Sequence, residues 1–191
     1  MDQMGVFSAS GHGAYCRQTL VGGHYSLLDY FSYEPNADYY SLLLWTRLMG
    51  KNVLATASAS REPIENVLSL RAYAHCSAAG KGGVTVVLIN LSNITAVNVD
   101  NISLDSSGQN LLASSRREEY IFSSAANSTV ETDVLISKKV KLNGQLLKVS
   151  EDFGVPALNP FVVEDPQSPM IMQPLTYGFV VFPQAGVSIC E

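Results

Sequence analysis

The stretch ADYYSLLLWTRLMG (residues 37–50) carries Tyr40, Leu43, Leu44 and Leu48 at positions i, i+3, i+4 and i+8, one apolar face of a helix. Just before it, Glu34-Pro35-Asn36 supplies a turn and an N-cap candidate, and Gly50 falls where a C-cap glycine is expected. Past Gly50 the helical period is gone and short apolar runs are separated by turn residues. The fold therefore turns on what this one helix belongs to.

Upstream of it, YCRQTLV (residues 15–21) reads as a buried strand that ends at Gly22-Gly23 and carries Arg17 and Gln18 in its middle. A strand, a loop and a helix make a unit of α/β type, which cannot bury both of its own faces. Residues 1–50 are thus expected to be a piece of a larger α/β domain. Downstream, VLSLRAYAHC sets Leu68, Leu70, Ala72, Ala74 and Cys76 in alternation with Ser69, Arg71, Tyr73 and His75, the period of a half-buried strand. GGVTVVLINL is apolar on both faces and predicts a central strand. VKLNGQLLKV makes Asn143-Gly144 a two-residue turn with Val140 opposite Leu147. LTYGFVVFP and VSIC supply the last two strands, and LDSSGQNLLASSRRE is the most loop-like stretch. Short strands with turns between them predict an antiparallel β-sandwich over residues 51–191. The expected fold is mixed: the end of an α/β domain, then an all-β domain.

Composition excludes several function classes. The 191 residues are 47% hydrophobic and 15% charged, a globular balance, and the net charge is -5. That acidity argues against nucleic acid, whose binders concentrate Lys and Arg to displace counterions. The basic clusters Arg116-Arg117 and Lys138-Lys139 with Lys141 read as solvated surface. No run approaches the roughly 18 apolar residues of a membrane span. Peripheral membrane association stays open, although the acidic balance works against anionic lipid.

Four N-glycosylation acceptor patterns begin at Asn90, Asn93, Asn101 and Asn127, three of them crowded into residues 90–103. The start MDQMGVFSAS lacks the basic and apolar regions of a signal peptide. Acceptors without a signal are reconciled if the chain is the C-terminal part of a longer secreted protein.

The three cysteines leave an odd one. A Cys76–Cys190 bridge would pin the chain end to an early strand, with Cys16 left as a small core residue; the pairing stays open at this level, and Cys76 joined to Cys16 is the competing arrangement. His12, His24 and His75 are too widely spaced for a metal motif, and no C-x-x-C is present. AAGKGG (residues 78–83) lacks phosphate-loop spacing and reads as a hairpin tip. No G-x-S-x-G elbow exists and no motif calls for a cofactor. Retaining glycosidases need two carboxyl groups about 5 to 5.5 Å apart, but Asp29, Glu34 and Asp38 read as turn and cap residues.

YCRQTLVGGHYSLLD followed by PNADYYSLLLWTRLMG, then LRAYAHC, VTVVLINLSN, VKLNGQLLKV and the closing YGFVVFPQAGVSIC, resembles the heparanase-like glycoside hydrolases, especially the plant members. The likeness covers nearly the whole chain. It implies a (β/α)8 barrel followed by a C-terminal β-sandwich, and hydrolysis of β-glucuronidic bonds with retention by two glutamates on earlier barrel strands. By this resemblance the chain holds the last barrel strand and helix (residues 1–50) and the sandwich (residues 51–191), with MDQMG just after the nucleophile's segment. The acid/base and the nucleophile then have no counterpart here, which leaves open whether the chain alone is an enzyme.

The resemblance further implies that Gln18, Gly23 and Tyr25 line the glucuronide subsite, that Cys76 pairs with Cys190, and that the partner is a glucuronide-containing glycan bound together with the missing barrel part. Gly23 lets backbone approach a sugar, Gln18 offers a donor and an acceptor, and Tyr25 offers a hydroxyl. Arg17 reads first as a member of a structural ion pair. GVFSASGHGA departs from the polar, basic loop usual before Tyr15. The implied location is secreted, in the extracellular space or cell wall, with a vacuole or lysosome as the alternative. A second reading, a non-catalytic module that binds carbohydrate or a partner, lacks an evident cluster of exposed aromatics in the sandwich sequence.

Overall fold

Every residue of Val84–Asn90 is buried, and this strand has a neighbour on each side. It organises the computed structural model, which describes residues 1–56, 69–103, 110–114, 116–127, 131–152 and 154–191. In chain order the elements are α1 (Asp2–Ala9), α2 (Ala37–Leu48), β1 (Met49–Leu54), β2 (Leu70–Ser77), β3 (Val84–Asn90), β4 (Val97–Asn98), α3 (Leu111–Ser114), β5 (Arg117–Ser124), α4 (Glu131–Ile136), β6 (Val140–Leu142), β7 (Gln145–Leu146), β8 (Phe161–Val163), β9 (Ile171–Met172) and β10 (Tyr177–Phe182). One antiparallel sheet runs β1-β2-β3-β10-β5-β6-β7, and β8 also pairs with β5. Among the described residues, β4 and β9 pair as a second sheet.

Alternation along the strands builds two cores on opposite faces. On one face Val84, Val86 and Leu88 of β3 join Ala74 and Cys76 of β2 and Val180 and Phe182 of β10, under Leu111, Leu112, Met170 and Met172. On the other, Val87 and Ile89 join Phe179, Val181, Tyr120 and Phe122, under Tyr40 and Leu44 of α2. The result is mostly antiparallel sheet with few helices. Among the described residues, one face of the large sheet carries β4–β9 with α3, and the other carries α2.

The central position expected for β3 holds, as does the hairpin at residues 78–83 between β2 and β3. Asn143 and Gly144 take φ of 48° and 80°, the pattern of a type I′ turn, and Leu147 N–H donates to the Val140 carbonyl at 3.0 Å. The pairing of Val140 with Leu147 is as read from the sequence.

Other expectations are corrected. Residues 15–21 form no strand; the one ladder contact there is a parallel bridge from Val21 to Leu28, and the Thr19 and Leu20 carbonyls accept from the Leu27 and Leu28 N–H groups of the same loop. Cys16 is consequently exposed and not a core residue. VSIC ends in a 3-10 turn, Ser188–Cys190. Strand β2 is covered on both faces: Tyr73 and His75 pack beneath the helices, with the His75 and Trp45 rings 5.5 Å apart edge to face. Leu68 of that pattern lies outside the described residues. The loop-like stretch 104–118 contains α3, whose Leu111 and Leu112 are buried, while residues 104–109 and 115 lie outside the description. Arg117 is buried rather than solvated, 1% exposed, with Nε donating to Glu119 Oε1 at 2.6 Å. Burial is tolerated because the charge is paired and Nη2 donates to the Ser168 carbonyl at 3.0 Å.

Gly50 is not a helix cap. Met49 ends α2 in an extended conformation, and Gly50 sits in β1 where an added Cβ would stand 2.4 Å from the Cys76 carbonyl oxygen. Close approach of two backbones, not positive φ, demands the glycine. The helix is tied to the sheet by polar contacts as well: Ser41 Oγ and the Tyr177 hydroxyl lie 2.8 Å apart, and Thr85 Oγ1 donates to the Leu48 carbonyl at 2.9 Å. Burial pushes the Tyr177 phenol up to about 12, so it stays protonated.

Candidate functional site

Residues 15–36 make a loop that precedes α2, and a guanidinium holds its shape. Arg17 Nη2 donates to the Tyr25 carbonyl at 2.7 Å and to Asp38 Oδ2 at 2.8 Å, while Nη1 donates to the Gln18 carbonyl at 3.0 Å. Its Cζ also lies 5.7 Å from the centroid of the Tyr25 ring. One side chain thus fixes the main chain of two of the three candidate contact residues. The structural ion pair read for Arg17 is present, and its partner is Asp38 in the first turn of α2, where a carboxylate also favours the helix N-terminus.

The loop closes through its backbone. Leu27 and Leu28 N–H groups donate to the Thr19 and Leu20 carbonyls at 3.0 and 2.9 Å. Ser26, 3% exposed, donates through Oγ to the Gly23 and Leu28 carbonyls. Asn36 stands at the N-cap of α2, yet its side-chain oxygen accepts no cap hydrogen bond, and its Nδ2 donates to the Ser26 carbonyl at 2.8 Å. Gly23 adopts φ of 83°, a conformation costly to any residue with a Cβ. Gln18, Gly23 and Tyr25 all lie exposed on this loop, Tyr25 at 58%.

Asp29 behaves as the turn residue it was read to be. Its Oδ1 accepts from the Phe31 and Ser32 N–H groups at 3.0 and 3.1 Å, and its Oδ2 from Lys138 Nζ at 2.6 Å. The Lys138 hydrogen bond first, then those amides, hold its carboxyl well below the ordinary carboxylate range. An acid held ionised in this way does not serve as a proton donor. Arg17–Asp38, Ser26 and Asn36 are the positioning residues that sequence reasoning did not assemble; the charges of Arg17 and Asp38 are visible, but nothing in the order of residues pairs positions 21 apart.

The remaining assignments are placed as follows. Cys76 and Cys190 are bonded, with Cα atoms 5.2 Å apart. Asn93, Asn101 and Asn127 are exposed, whereas Asn90 is 2% exposed. Among the described residues no group of three His, Cys, Asp or Glu side chains gathers as a metal site, and no helix is long and apolar enough to cross a membrane.

No protein-family model matches the chain. Among curated proteins it is 38% identical over 209 residues to "Heparanase-like protein 1" of Arabidopsis thaliana, covering 100% of this chain and 37% of that one. It is 38% identical to "Baicalin-beta-D-glucuronidase" of Scutellaria baicalensis and 31% identical to "Heparanase" of Bos taurus, in each case over 100% of this chain and 32% of the relative. The chain spans about a third of the length of these relatives. Among solved structures, the GH51 arabinofuranosidase from Xanthomonas axonopodis pv. citri aligns over 94% of this chain and 34% of its own, with a TM-score of 0.48 and 10% identity. Likeness in sequence from the first residue to the last, at 31 to 38% identity to these curated relatives, places the chain in the heparanase-like glycoside hydrolases, to whose C-terminal portion it corresponds.

Proposed function

We propose that this chain is the C-terminal part of a retaining glycoside hydrolase acting on β-glucuronides, supplying one wall of the glucuronide subsite and the β-rich domain but not the two catalytic glutamates. In this reading residues 1–50 are the last strand and helix unit of a (β/α)8 barrel and residues 51–191 the C-terminal sandwich. The observation that carries it is the match of the whole chain to relatives about three times longer, one of which is named a β-D-glucuronidase.

The geometry supports a binding role for the loop. The Arg17 clamp orders Gln18 and Tyr25 before substrate arrives, so the ordering entropy is not charged to binding. Gln18 contributes amide hydrogen bonds, Tyr25 a hydroxyl, and Gly23 an unobstructed backbone. Asp29 is engaged in a turn, and Asp38 of α2 in an ion pair with Arg17. Neither cofactor nor metal enters the chemistry proposed. An extracellular, cell-wall or vacuolar location is part of the same reading, supported by the Cys76–Cys190 bridge, a bond that persists in oxidising compartments.

The test is an assay of the 191-residue chain on an aryl β-glucuronide, alone and joined to an in-frame upstream barrel. Alone it is expected to give no turnover, and turnover by the isolated chain overturns the reading. In the joined protein, Gln18→Ala is expected to raise KM for the glucuronide at least several-fold while leaving the aryl β-glucoside unaffected. Equal loss on both substrates removes Gln18 from the subsite.

A further inference from the structure

The acceptor patterns at Asn90 and Asn93 are only three residues apart, and the fold treats the two amides in opposite ways. Asn90 ends β3 and is 2% exposed. Its Nδ2 donates to the carbonyls of Thr95 (2.9 Å), Met172 (3.0 Å) and Gln173 (3.1 Å), and its Oδ1 accepts from the Ser92 N–H at 3.0 Å. Both amide hydrogens are therefore committed to main chain on β9 and on the turn after β3. A sugar on this nitrogen removes one hydrogen and needs a ring's width of space where the residue has almost no surface. Asn93 is exposed and, among the described residues, its Nδ2 donates to Glu131 Oε2 alone, at 2.6 Å. After attachment of a sugar that amide keeps one N–H, enough for the same carboxylate.

We propose that Asn93 is an N-glycan attachment site and that Asn90, despite its matching pattern, is a structural asparagine that stays unmodified. In the transfer, Asn93 Nδ2 bonds to the anomeric carbon of a lipid-pyrophosphate-linked oligosaccharide. The bond from that carbon to the pyrophosphate oxygen breaks, the pyrophosphate leaves with the electron pair, and one amide proton passes to solvent. The attached glycan lies where the surface is unusually apolar. Ile94 within the pattern is 84% exposed and Leu135, one turn beyond Glu131 on the same side of α4, is 61% exposed. The apolar faces of the first sugars cover these side chains, which gives the patch an occupant and keeps it from self-association.

The inference rests on the reading of the chain as one that enters a secretory compartment, and its test supplies that entry. The 191-residue chain is expressed behind a cleavable signal in plant cells, and the exported fraction is deglycosylated enzymatically in heavy-oxygen water and mapped by mass spectrometry. The isotope mark is expected at Asn93 and not at Asn90. Thr95→Ala destroys the Asn93 pattern and leaves Asn90-Leu91-Ser92 intact; it is expected to remove one glycan step in gel mobility without any mark appearing at Asn90. If the chain is not exported, translation of the same signal-bearing chain with microsomes reads Asn93 directly. No mark at Asn93 in either format, or a mark at Asn90 in the exported fraction, overturns the proposal. Where the native product resides is a separate measurement, so failure of the extracellular reading does not disguise failure of this one.

Discussion

At the scale of single residues, polar side chains decide the shape of the candidate loop. Removing the carboxylate in Asp38→Ala leaves Arg17 without its counter-charge; because that side chain is 27% exposed, the loss of global stability is expected to be small, about 1 kcal/mol or less. The local effect is larger. Hydrogen exchange at the Leu27 and Leu28 amides is expected to quicken markedly, and unchanged protection there would remove the clamp from the account. Asp29 gives a pH test. Its folded pKa lies below the unfolded value, so its contribution is complete at pH above the ordinary carboxylate range and starts to decline within it. It is lost as pH falls through the depressed folded value. Lys138→Gln should move the Asp29 titration, followed by NMR, back toward ordinary values, since the Lys138 hydrogen bond is the largest cause of the shift.

Among elements, α2 and the β1–β2 pair show how local pattern and long-range contact divide the work. Leu44 lies on the apolar stripe that the sequence displays and is 1% exposed against the sheet; Leu44→Ala is expected to cost about 2 to 5 kcal/mol in chemical denaturation. Gly50, which the same pattern marks as a cap, is required for another reason. Gly50→Ala places a methyl against the Cys76 carbonyl and should destabilise by about 1 to 3 kcal/mol, whereas at a cap with positive φ a Gly50→Asn change would be tolerated better than Ala. If Asn proves the milder substitution, the cap reading returns. The hairpin at Asn143-Gly144 was legible because a two-residue turn with positive φ at both positions admits few residue types. Strand 15–21 was not refused by its own residues: its pattern is strand-like, yet its Thr19 and Leu20 carbonyls are taken by the Leu27 and Leu28 N–H groups of the same loop.

For the whole molecule, the Cys76–Cys190 bond spans 114 residues and joins the chain end to β2. On the chain-entropy model its loss costs about 4 to 5 kcal/mol, so Cys76→Ser with Cys190→Ser should lower the denaturant midpoint by a corresponding amount. A midpoint that stays in place would show that buried contacts such as Val84 and Phe182 already hold the terminus.

What the sequence determined by itself is whatever depends on near neighbours: the period of α2, the apolar run of β3, the turn chemistry of residues 143–144, and a likeness running the length of the chain. Tertiary structure alone decided which residues of distant segments meet. It buried Arg117 against Glu119 and the Ser168 carbonyl, gave Arg17 to Asp38, and enclosed Asn90 while leaving Asn93 in solvent. The reason is physical. Periodicity and turn preference act over a few residues and can be read along the chain, whereas desolvation and charge pairing depend on what the fold brings from far away.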